Sequence, residues 1–349
     1  MTNTIIKEDI DLIFRAGIAW DQFANKTILI SGASGFIASY MVETLLYLNE
    51  KLTRQNTKVI ALVRNMEKAK VRFIEYTDRS DLILLVQDVS DDIAIDEQID
   101  FIIHAASQAS PKYYSVDPVG TLRANIFGTT NLLTLASRFN AKSVLFFSSS
   151  EVYGEVSDQL ESIGEDDFGY VSPTQVRSCY AESKRMGENL CISWAHQYGL
   201  DVKIVRPFHT YGPKMELNDG RVFADFAADL VNNRDIVMKS DGTSRRAYCY
   251  LADAVIAYFL VLLNGKSGEA YNIGDPGNEC SVLELANRLV NIFPEKNLTV
   301  ITKENNNLNY LASKVNRVTP NIAKIKALGW KPRFTIEEGF KRTVNSYAF

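Results

Sequence analysis

The pair Tyr180 and Lys184 offers the clearest acid–base chemistry in the chain, because a four-residue spacing places a phenol and an ammonium on one face of a helix. Free tyrosine ionises near pH ~10, so lowering its pKa to about 7 takes roughly 4 kcal/mol of stabilisation of the phenolate. A neighbouring cation shielded from water can supply it. We therefore expect Lys184 to lower the pKa of Tyr180. The same spacing occurs on many solvated helices, so the interpretation depends on the rest of the chain.

Two hydroxyl groups and a carboxylate follow a predicted buried strand at residues 143–147. They belong to Ser149, Ser150 and Glu151. Ligands of open α/β sheets bind at the carboxyl ends of the parallel strands. We therefore expect these three side chains to face a ligand together with Tyr180.

A glycine turn between a β-branched apolar run, 27–31, and a predicted helix, 36–49, indicates a dinucleotide site. Gly32 permits the tight turn, and Gly35 lets the backbone approach a pyrophosphate at the helix N-terminus. Ala38 stands in the third glycine position and is small enough for close packing. The alternative is a glycine turn in another kind of βαβ unit. The predicted cofactor contacts of this turn are Gly32, Ser34, Gly35, Phe36 and Ile37.

The ends of the next two predicted strands bear on the choice between NAD and NADP. Strand 58–63 ends at Arg64, where an acidic residue would bind the ribose diol of NAD. A cation suits a 2′-phosphate, but Arg64 could equally stack on adenine or face solvent. The sequence predicts NAD and leaves NADP open. Strand 82–86 leads to Asp88 and Val89, which we expect on the adenine side of the cofactor.

A further predicted strand, 101–106, ends in Ala105 and Ala106, whose small side chains leave room for a cofactor. We expect His104, within this strand, to be packed in the core rather than catalytic. Asn125 lies in a predicted helix, 118–140. It either braces the site from below or belongs to an ordinary capped helix that faces the core.

The composition is that of a globular protein, with 349 residues of which 46% are hydrophobic and 23% charged. A formal net charge of -4 and a pI near 5.6 argue against a general nucleic-acid or anionic-membrane binder. Four scattered cysteines suggest reduced thiols in the cytoplasm, and three histidines offer no metal-ligand cluster. No apolar run approaches the ~20 residues of a membrane span. We expect a cytoplasmic protein without membrane insertion or a metal.

The expected domain organisation has three parts. Apolar residues among acids in residues 1–25 predict an amphipathic helix packed on the body, with a partner-binding arm as the alternative. A dinucleotide-binding domain spans 26–206 with returning segments near 247–275, and the remaining parts of 207–349 form a substrate domain. The predicted fold class is therefore α/β, a Rossmann doubly wound parallel sheet with a smaller mixed α/β domain.

Within the substrate domain, a short strand is predicted at 236–238 and a hairpin-like turn at 241–246. The two arginines of that turn, Arg245 and Arg246, are candidates for binding a diphosphate. A helix is predicted at 281–293 and a loop at 305–309.

From about residue 26 to its C-terminus, the sequence resembles the extended short-chain dehydrogenases/reductases of the nucleotide-sugar epimerase/dehydratase group. Two stretches, 178–185 and 212–222, are most similar to UDP-glucuronate decarboxylases (UDP-xylose synthases). The motifs that carry the resemblance are Gly32-x-x-Gly35-x-x-Ala38, His104-Ala105-Ala106, Ser149 through Gly154, Tyr180-x-x-x-Lys184, Arg206 through Pro213, and Leu328 through Pro332.

The resemblance implies NAD as cofactor, a nucleotide-diphosphate sugar as substrate and a homodimer. It implies that Tyr180 takes the proton of the sugar 4-hydroxyl, that Lys184 holds the nicotinamide ribose, and that Ser149 hydrogen-bonds the 4-oxygen. In decarboxylases the 4-keto uronate then loses carbon dioxide, while Ser150 and Glu151 manage protons and the C5 carboxylate. The implied substrate contacts are Ser107, His209, Arg221 and Arg246.

Other reactions on the sugar stay open. A glutamate at position 151 also serves 4,6-dehydratases, although the dTDP-glucose enzymes carry an aspartate where Ser150 stands. His209 replaces the usual asparagine near the diphosphate, and Arg64 replaces the aspartate of tight NAD binders. Arginine at position 64 is compatible with net reduction by NADPH, as in 4-keto-sugar reductases. A 4-epimerase is a further alternative.

A non-catalytic nucleotide-binding protein is the alternative from a different functional class. It would keep the glycine turn but would not need Tyr180, Lys184 and Ser149 together. Their joint presence favours an enzyme.

Overall fold

The computed structural model describes residues 3–52, 56–157, 159–303 and 315–348, and all structural statements below refer to these residues. The strands are β1 (Thr27–Ser31), β2 (Lys58–Val63), β3 (Leu82–Val86), β4 (Phe101–His104), β5 (Ser143–Phe147), β6 (Val202–Pro207), β7 (His209–Tyr211), β8 (Ile236–Met238), β9 (Arg245–Tyr250), β10 (Ala270–Ile273), β11 (Glu279–Ser281), β12 (Val300–Thr302) and β13 (Arg317–Val318). The helices are α1 (Thr4–Phe14), α2 (Phe36–Lys51), α3 (Met66–Arg72), α4 (Lys112–Val116), α5 (Pro118–Phe139), α6 (Cys179–Tyr198), α7 (Val222–Val231), α8 (Leu251–Asn264), α9 (Val282–Ile292), α10 (Ala323–Lys326) and α11 (Ile336–Asn345).

The main sheet has the strand order β10-β6-β5-β4-β1-β2-β3, and every neighbouring pair is parallel. The strand order reverses between β1 and β4, which is the switch point where doubly wound sheets bind dinucleotides. The predicted Rossmann fold is confirmed. The edge strand β10 comes from the returning part of the chain.

Helices cover both faces of this sheet, so successive residues of a strand pack in different layers. In β1, Ile28 and Ile30 share a buried cluster with residues of α1, α2 and α8. Leu29, between them, belongs to a second buried cluster, which includes residues of α5 and α6. The strands are nearly continuous apolar runs because both faces of the sheet are buried.

Most of the predicted bounds in this sheet are confirmed. The strands at 27–31, 58–63, 82–86 and 143–147 begin and end where the apolar runs do. The strand predicted at 101–106 ends earlier, at His104, because Ala105 and Ala106 turn away from the ladder at the sheet edge. This difference places the two alanines in the loop that faces the glycine turn.

The smaller C-terminal domain contains a sheet with the order β11-β9-β13, in which β7 also pairs with β9, and a separate pair, β12-β8. The predicted hairpin at 241–246 is wrong, since β8 is parallel to β12 whereas β9 is antiparallel to β11. The turn residues reverse the chain, but segments far away in sequence provide the pairing. The predicted helix at 281–293 is confirmed as α9, which begins with a capping box between Ser281 and Glu284. The loop predicted at 305–309 lies outside the described residues.

The N-terminal segment forms the predicted amphipathic helix, α1, which buries Ile6, Ile10 and Ile13 against the body. Asp9 is buried on the same face. Its carboxylate accepts hydrogen bonds from the hydroxyls of two tyrosines, Tyr40 and Tyr250, and pairs with Arg342 of α11 at 2.8 Å. A buried carboxylate is tolerated only with such partners, so α1 is fastened to α2, β9 and α11 together.

Candidate active site

The turn between β1 and α2 has the geometry of a phosphate cradle. Gly32 has a φ of +65°, and a Cβ atom there would lie 2.7 Å from Cα of Ala106. Gly35 is the N-cap of α2 and offers no capping side chain, so the first N–H groups of the helix are left for a ligand. The side chains that the sequence assigns to this turn, Ser34, Phe36 and Ile37, are half-buried around it.

Arg64 and Asp88 stand side by side where β2 and β3 end, with 4.0 Å between Nη1 of Arg64 and Oδ2 of Asp88. Asp88 also accepts a hydrogen bond from the backbone N–H of Ser90 at 2.9 Å. Its neighbour Val89 is buried and faces Gly128 of α5, so it supports the helix. The exposed Arg64 therefore has a carboxylate beside it, which makes this corner less favourable for a second phosphate.

Tyr180 and Lys184 lie in the first turns of α6 and are both buried, with 5% and 2% of their surface exposed. The ring of Tyr180 stacks on that of Tyr114, with 5.1 Å between centroids and 17° between planes. Nζ of Lys184 donates to the carbonyl oxygen of Phe147, at the end of β5, over 2.6 Å. The same Nζ is 5.8 Å from the Tyr180 ring centroid. The predicted pair is thus formed on one helical face and joined to the β5 edge.

The prediction that Lys184 lowers the pKa of Tyr180 stays a prediction, because burial is the largest influence on the phenol in this arrangement. Burial raises the pKa of Tyr180 to about 12, although a hydrogen bond from Ser149 opposes the increase. Burial also lowers the pKa of Lys184 to about 7, and its ammonium is directed at the Phe147 carbonyl. The phenol is therefore a proton donor at neutral pH.

Ser149 and Glu151 occupy the turn after β5, as predicted, and Ser149 is close enough to Tyr180 to hydrogen-bond it. The hydroxyl oxygen of Ser149 accepts from the backbone N–H of Glu151 at 3.2 Å. Ser150, between them, is half-buried. The structure brings Tyr180, Lys184, Ser149 and Glu151 together.

Sequence reasoning missed Arg177, whose guanidinium forms a two-pronged pair with the Glu151 carboxylate at 3.1 and 3.3 Å. The same guanidinium lies over the ring of Tyr114 at 5.4 Å. Its position in the short turn (Val176–Ser178) that leads into α6, three residues before Tyr180, is the sequence signal that could have found it. No sequence signal distinguishes Tyr114 from the other aromatic residues.

One buried arginine, Arg206 at the end of β6, joins the two parts of the site. Its guanidinium makes two bonds to the carboxylate of Glu188 in α6, at 2.8 and 2.7 Å. It also donates to the hydroxyl of Tyr153 at 2.9 Å, in the turn that carries Glu151. The turn after β5 and helix α6 are therefore held to one cation.

Of the predicted substrate contacts, Arg221 lies between two groups of residues. Its charge acts on Tyr180 and also on His209 of β7. Its Nε donates to the carboxylate of Asp219, and its guanidinium lies 5.1 Å from the ring centroid of Phe223. Arg221 thus connects the Tyr180 centre with the smaller domain.

His209 and Ser107 present buried polar atoms without a hydrogen-bond partner in the described part of the chain, namely Nδ1 and Oγ. Such atoms are costly unless a ligand or water satisfies them. Burial, with the charges of Arg246 and Arg221, lowers the pKa of His209 to about 3, so the ring is neutral. Arg246 donates to the backbone carbonyls of Val315 and Asn316. The charge of Arg246 therefore reaches the buried ring of His209 in the smaller domain.

The described residues contain no group of three His, Cys, Asp or Glu side chains suited to a metal ion. None of their helices is both long enough and apolar enough to cross a membrane.

A comparison with family models decides the family. The model of the NAD dependent epimerase/dehydratase family matches residues 28–274, which is most of the chain. The chain belongs to this family. The assignment confirms the prediction of an NAD-dependent enzyme of the extended short-chain dehydrogenase/reductase type.

Individual relatives of this family member are similar over most of their length. UDP-glucuronic acid decarboxylase 3 of Arabidopsis thaliana is 35% identical over 321 residues, which cover 90% of this chain and 87% of the relative. The UDP-glucose 4-epimerase of Thermotoga maritima has a similar structure, with a TM-score of 0.78, 24% identity, and coverage of 92% and 98%. UDP-glucuronic acid 4-epimerase of Bacillus cereus gives a TM-score of 0.77, 21% identity, and coverage of 92% and 99%. These two structures support the fold.

The residues of this family member fit NAD. Three features suit a pyrophosphate, namely the space beside Gly32 that a Cβ would fill, the small Ala106 opposite it and the uncapped N-terminus of α2. Arg64 and Asp88 lie at the same edge, on the side of β2 and β3.

Gly32→Ala is expected to weaken NAD binding. The added Cβ would meet Ala106 at 2.7 Å, and the residue would have to hold a φ of +65°. A cost of about 1.4 kcal/mol in the complex with NAD corresponds to a tenfold higher Kd. We therefore expect the Kd for NAD, measured by calorimetry, to rise about tenfold or more.

The matched control is Gly199→Ala. Gly199 ends α6 with a φ of +68°, and a Cβ there would meet no atom within 4 Å. It carries the same backbone strain without touching the cradle, so the Kd for NAD should stay within about twofold. Equal effects of both substitutions would contradict the assignment of the cradle.

Proposed function

We propose that this protein is a decarboxylase that oxidises UDP-glucuronate at C4, releases the C5 carboxylate as carbon dioxide and reduces C4 again. The observation that carries the proposal is the guanidinium of Arg177, which lies over Tyr114 and beside Glu151. Tyr114 in turn stacks on Tyr180. A planar cation that lies over the ring stacked on Tyr180 suits a carboxylate one carbon away from the reacting C4. The decarboxylase relatives that are 35% identical to this chain support the same reaction.

The first step needs a proton acceptor for the sugar 4-hydroxyl. We assign this role to the phenolate of Tyr180, whose formation requires a nearby cation to offset the effect of burial on its pKa, with Ser149 hydrogen-bonding the 4-oxygen as it becomes a ketone. Lys184 anchors the end of β5 and is the cation available to stabilise a phenolate. When bound, NAD supplies the acceptor for the C4 hydride and its later return.

Loss of carbon dioxide follows from the ketone, because a 4-keto uronate is a β-keto acid. The electrons of the broken C5–C6 bond pass to the C4 oxygen, and C5 takes up one proton. Tyr180, with a pKa of about 12, and Ser149 can both donate hydrogen bonds to that oxygen. Arg177 holds the carboxylate until it leaves, and Glu151 delivers the proton that C5 takes up.

The alternatives use the same first step. A 4-epimerase or a 4,6-dehydratase would also oxidise C4 with Tyr180, so Arg177 is the observation that favours decarboxylation. Net reduction with NADPH is less well supported, because Asp88 stands beside Arg64 where a 2′-phosphate would lie. A non-catalytic role would leave the buried cluster around Tyr180 without a purpose.

The cofactor and substrate are proposed to occupy different parts of the chain. We assign NAD to residues 26–206 with the segment near 247–275, and the nucleotide diphosphate to the remaining parts of 207–349. Ser107, His209, Arg221 and Arg246 are the proposed contacts of the sugar nucleotide. Two of these, Ser107 and His209, have unsatisfied buried atoms among the described residues, which supports a polar ligand.

UDP-glucuronate incubated with the purified protein, without added reductant, should lose 44 mass units as carbon dioxide. A panel of UDP-, dTDP-, GDP- and CDP-sugars followed by mass spectrometry separates the alternatives, since dehydration removes 18 units, reduction adds 2 and epimerisation changes nothing. Tyr180→Phe is the control, and we expect its kcat to fall at least about a hundredfold. Turnover by Tyr180→Phe at the rate of the unchanged protein would refute the mechanism.

Arg177→Gln should weaken binding of UDP-glucuronate far more than binding of UDP-glucose, which lacks the carboxylate. We expect the Kd of UDP-glucuronate to rise about tenfold or more and that of UDP-glucose to change within about twofold. The control is Arg123→Gln, which removes an exposed guanidinium that lies 3.7 Å from Asp91. Equal losses for both sugar nucleotides in Arg177→Gln would rule out a carboxylate contact.

We also propose a cytoplasmic homodimer. The packed helices α5 and α6 expose apolar side chains, among them Val119, Phe127 and Met186, and covering such a face is favourable. The buried free cysteines suit a reducing compartment. Sedimentation should show a dimer at micromolar concentration that Phe127→Glu converts to monomer, whereas a monomeric unchanged protein would contradict the proposal.

A further inference from the structure

Both ring nitrogens of His104 are hydrogen-bonded inside the protein. Nδ1 lies 2.8 Å from Oγ of Ser31 in β1, and Nε2 lies 3.1 Å from Oγ1 of Thr129 in α5. The ring is buried, and Phe146 of β5 packs beside it with 5.6 Å between ring centroids. A nonpolar side chain could fill this space equally well, so the two polar contacts of His104 indicate a specific role for its ring.

The directions of these bonds follow from the donors and acceptors. The hydroxyl of Thr129 donates to the carbonyl oxygen of Asn125, which can only accept. Thr129 has no second hydrogen, so it must accept from His104, and the proton of the ring is on Nε2. Burial lowers the pKa of His104 to about 3, assisted by the charge of Lys184, so the ring is neutral and Nδ1 is an acceptor.

The chain of bonds continues on both sides of the ring. Ser31 donates to Nδ1, and its oxygen accepts from the backbone N–H of Ala106 at 3.3 Å. On the other side, the amide of Asn125 donates to the hydroxyl of Ser183 at 2.9 Å. Ser183 donates to the backbone carbonyl of Tyr180 at 3.0 Å. One of the two alternatives for Asn125 is thus supported, since it braces helix α6 from within.

This relay, from Ala106 through Ser31, His104, Thr129, Asn125 and Ser183 to Tyr180, connects two sites. Ala106 is the residue against which Gly32 of the phosphate cradle packs. Tyr180 is the proposed acid–base residue. The relay crosses β1, β4, α5 and α6 inside the protein, and every bond in it has one fixed donor and one fixed acceptor.

We propose that His104, in its neutral form with the proton on Nε2, is a positioning residue that holds the Tyr180 turn of α6 in register with the nucleotide cradle. The proposal rests on the proposed function of Tyr180. If the proton were on Nδ1 instead, Ser31 would face a second donor and could no longer donate to the ring. Thr129, which already donates to Asn125, would then face a second acceptor, the bare Nε2, and could make no hydrogen bond to it. Only one tautomer therefore keeps every bond of the relay.

The tautomer is measurable without substrate. Histidine labelled with ¹⁵N gives ring signals for only three residues, His104, His196 and His209, and the signals of His104 follow by elimination from His196→Gln and His209→Gln. We expect a proton-bearing Nε2 and a bare Nδ1, unchanged between pH 6 and 8. A protonated ring, or a proton on Nδ1, would overturn the proposal.

The positioning role is tested by Thr129→Val, which removes the acceptor of the His104 Nε2 proton. We expect kcat for UDP-glucuronate to fall about tenfold with KM within about twofold, and Thr129→Ser, which keeps the hydroxyl, to restore most of it. Thr343→Val in α11 is the matched control, because Thr343 is equally buried and also donates to the carbonyl four residues earlier, that of Gly339. Its kcat should stay within about twofold.

Equal losses of kcat in Thr129→Val and Thr343→Val, or no loss in either, would reject a positioning role. If Thr129→Val does not fold, Thr129→Ser and the ¹⁵N spectrum of the unchanged protein still decide. The ¹⁵N result needs no turnover, so the relay and the proposed function can fail separately. An active Tyr180→Phe variant would refute the function alone.

Discussion

The buried ion pair of Arg206 with Glu188 determines the distance between the two halves of the active site. One half, the turn after β5, reaches the guanidinium through Tyr153, and the other, helix α6, reaches it through Glu188. Removing one partner of such a pair leaves an unpaired buried charge, which costs about 3–5 kcal/mol. The pair is therefore better understood as a spacer between Ser149 and Tyr180 than as a source of stability.

Much of the dinucleotide-binding part was predictable from the sequence, because its information is local. Strands buried on both faces are continuous apolar runs, and the glycine turn after β1 follows from the needs of a close backbone approach. The placement of Ser149 and Glu151 followed from the rule that ligands bind at the carboxyl ends of parallel strands, and the pair Tyr180 and Lys184 followed from a four-residue helical spacing. These residues are close in space because neighbouring elements of the sheet deliver them to one edge.

The parts that the sequence did not predict depend on contacts between distant segments. The partner of β9 is β11 rather than β8, and a turn motif contains no information about that choice. Arg177 and Tyr114 became visible only once α4 and the start of α6 lay together. A spacing rule also does not include burial, which raises the pKa of Tyr180 to about 12.

The network around Asp9 has a consequence for how the chain is made. Its carboxylate is buried beside Arg342, and Asn3 donates to the backbone carbonyl of Ser346 at 2.7 Å. During synthesis on the ribosome, α1 emerges more than three hundred residues before its charged partner. Helix α1 is therefore fastened long after it is made, and until then its apolar face, with Ile6, Ile10 and Ile13, is available to chaperones.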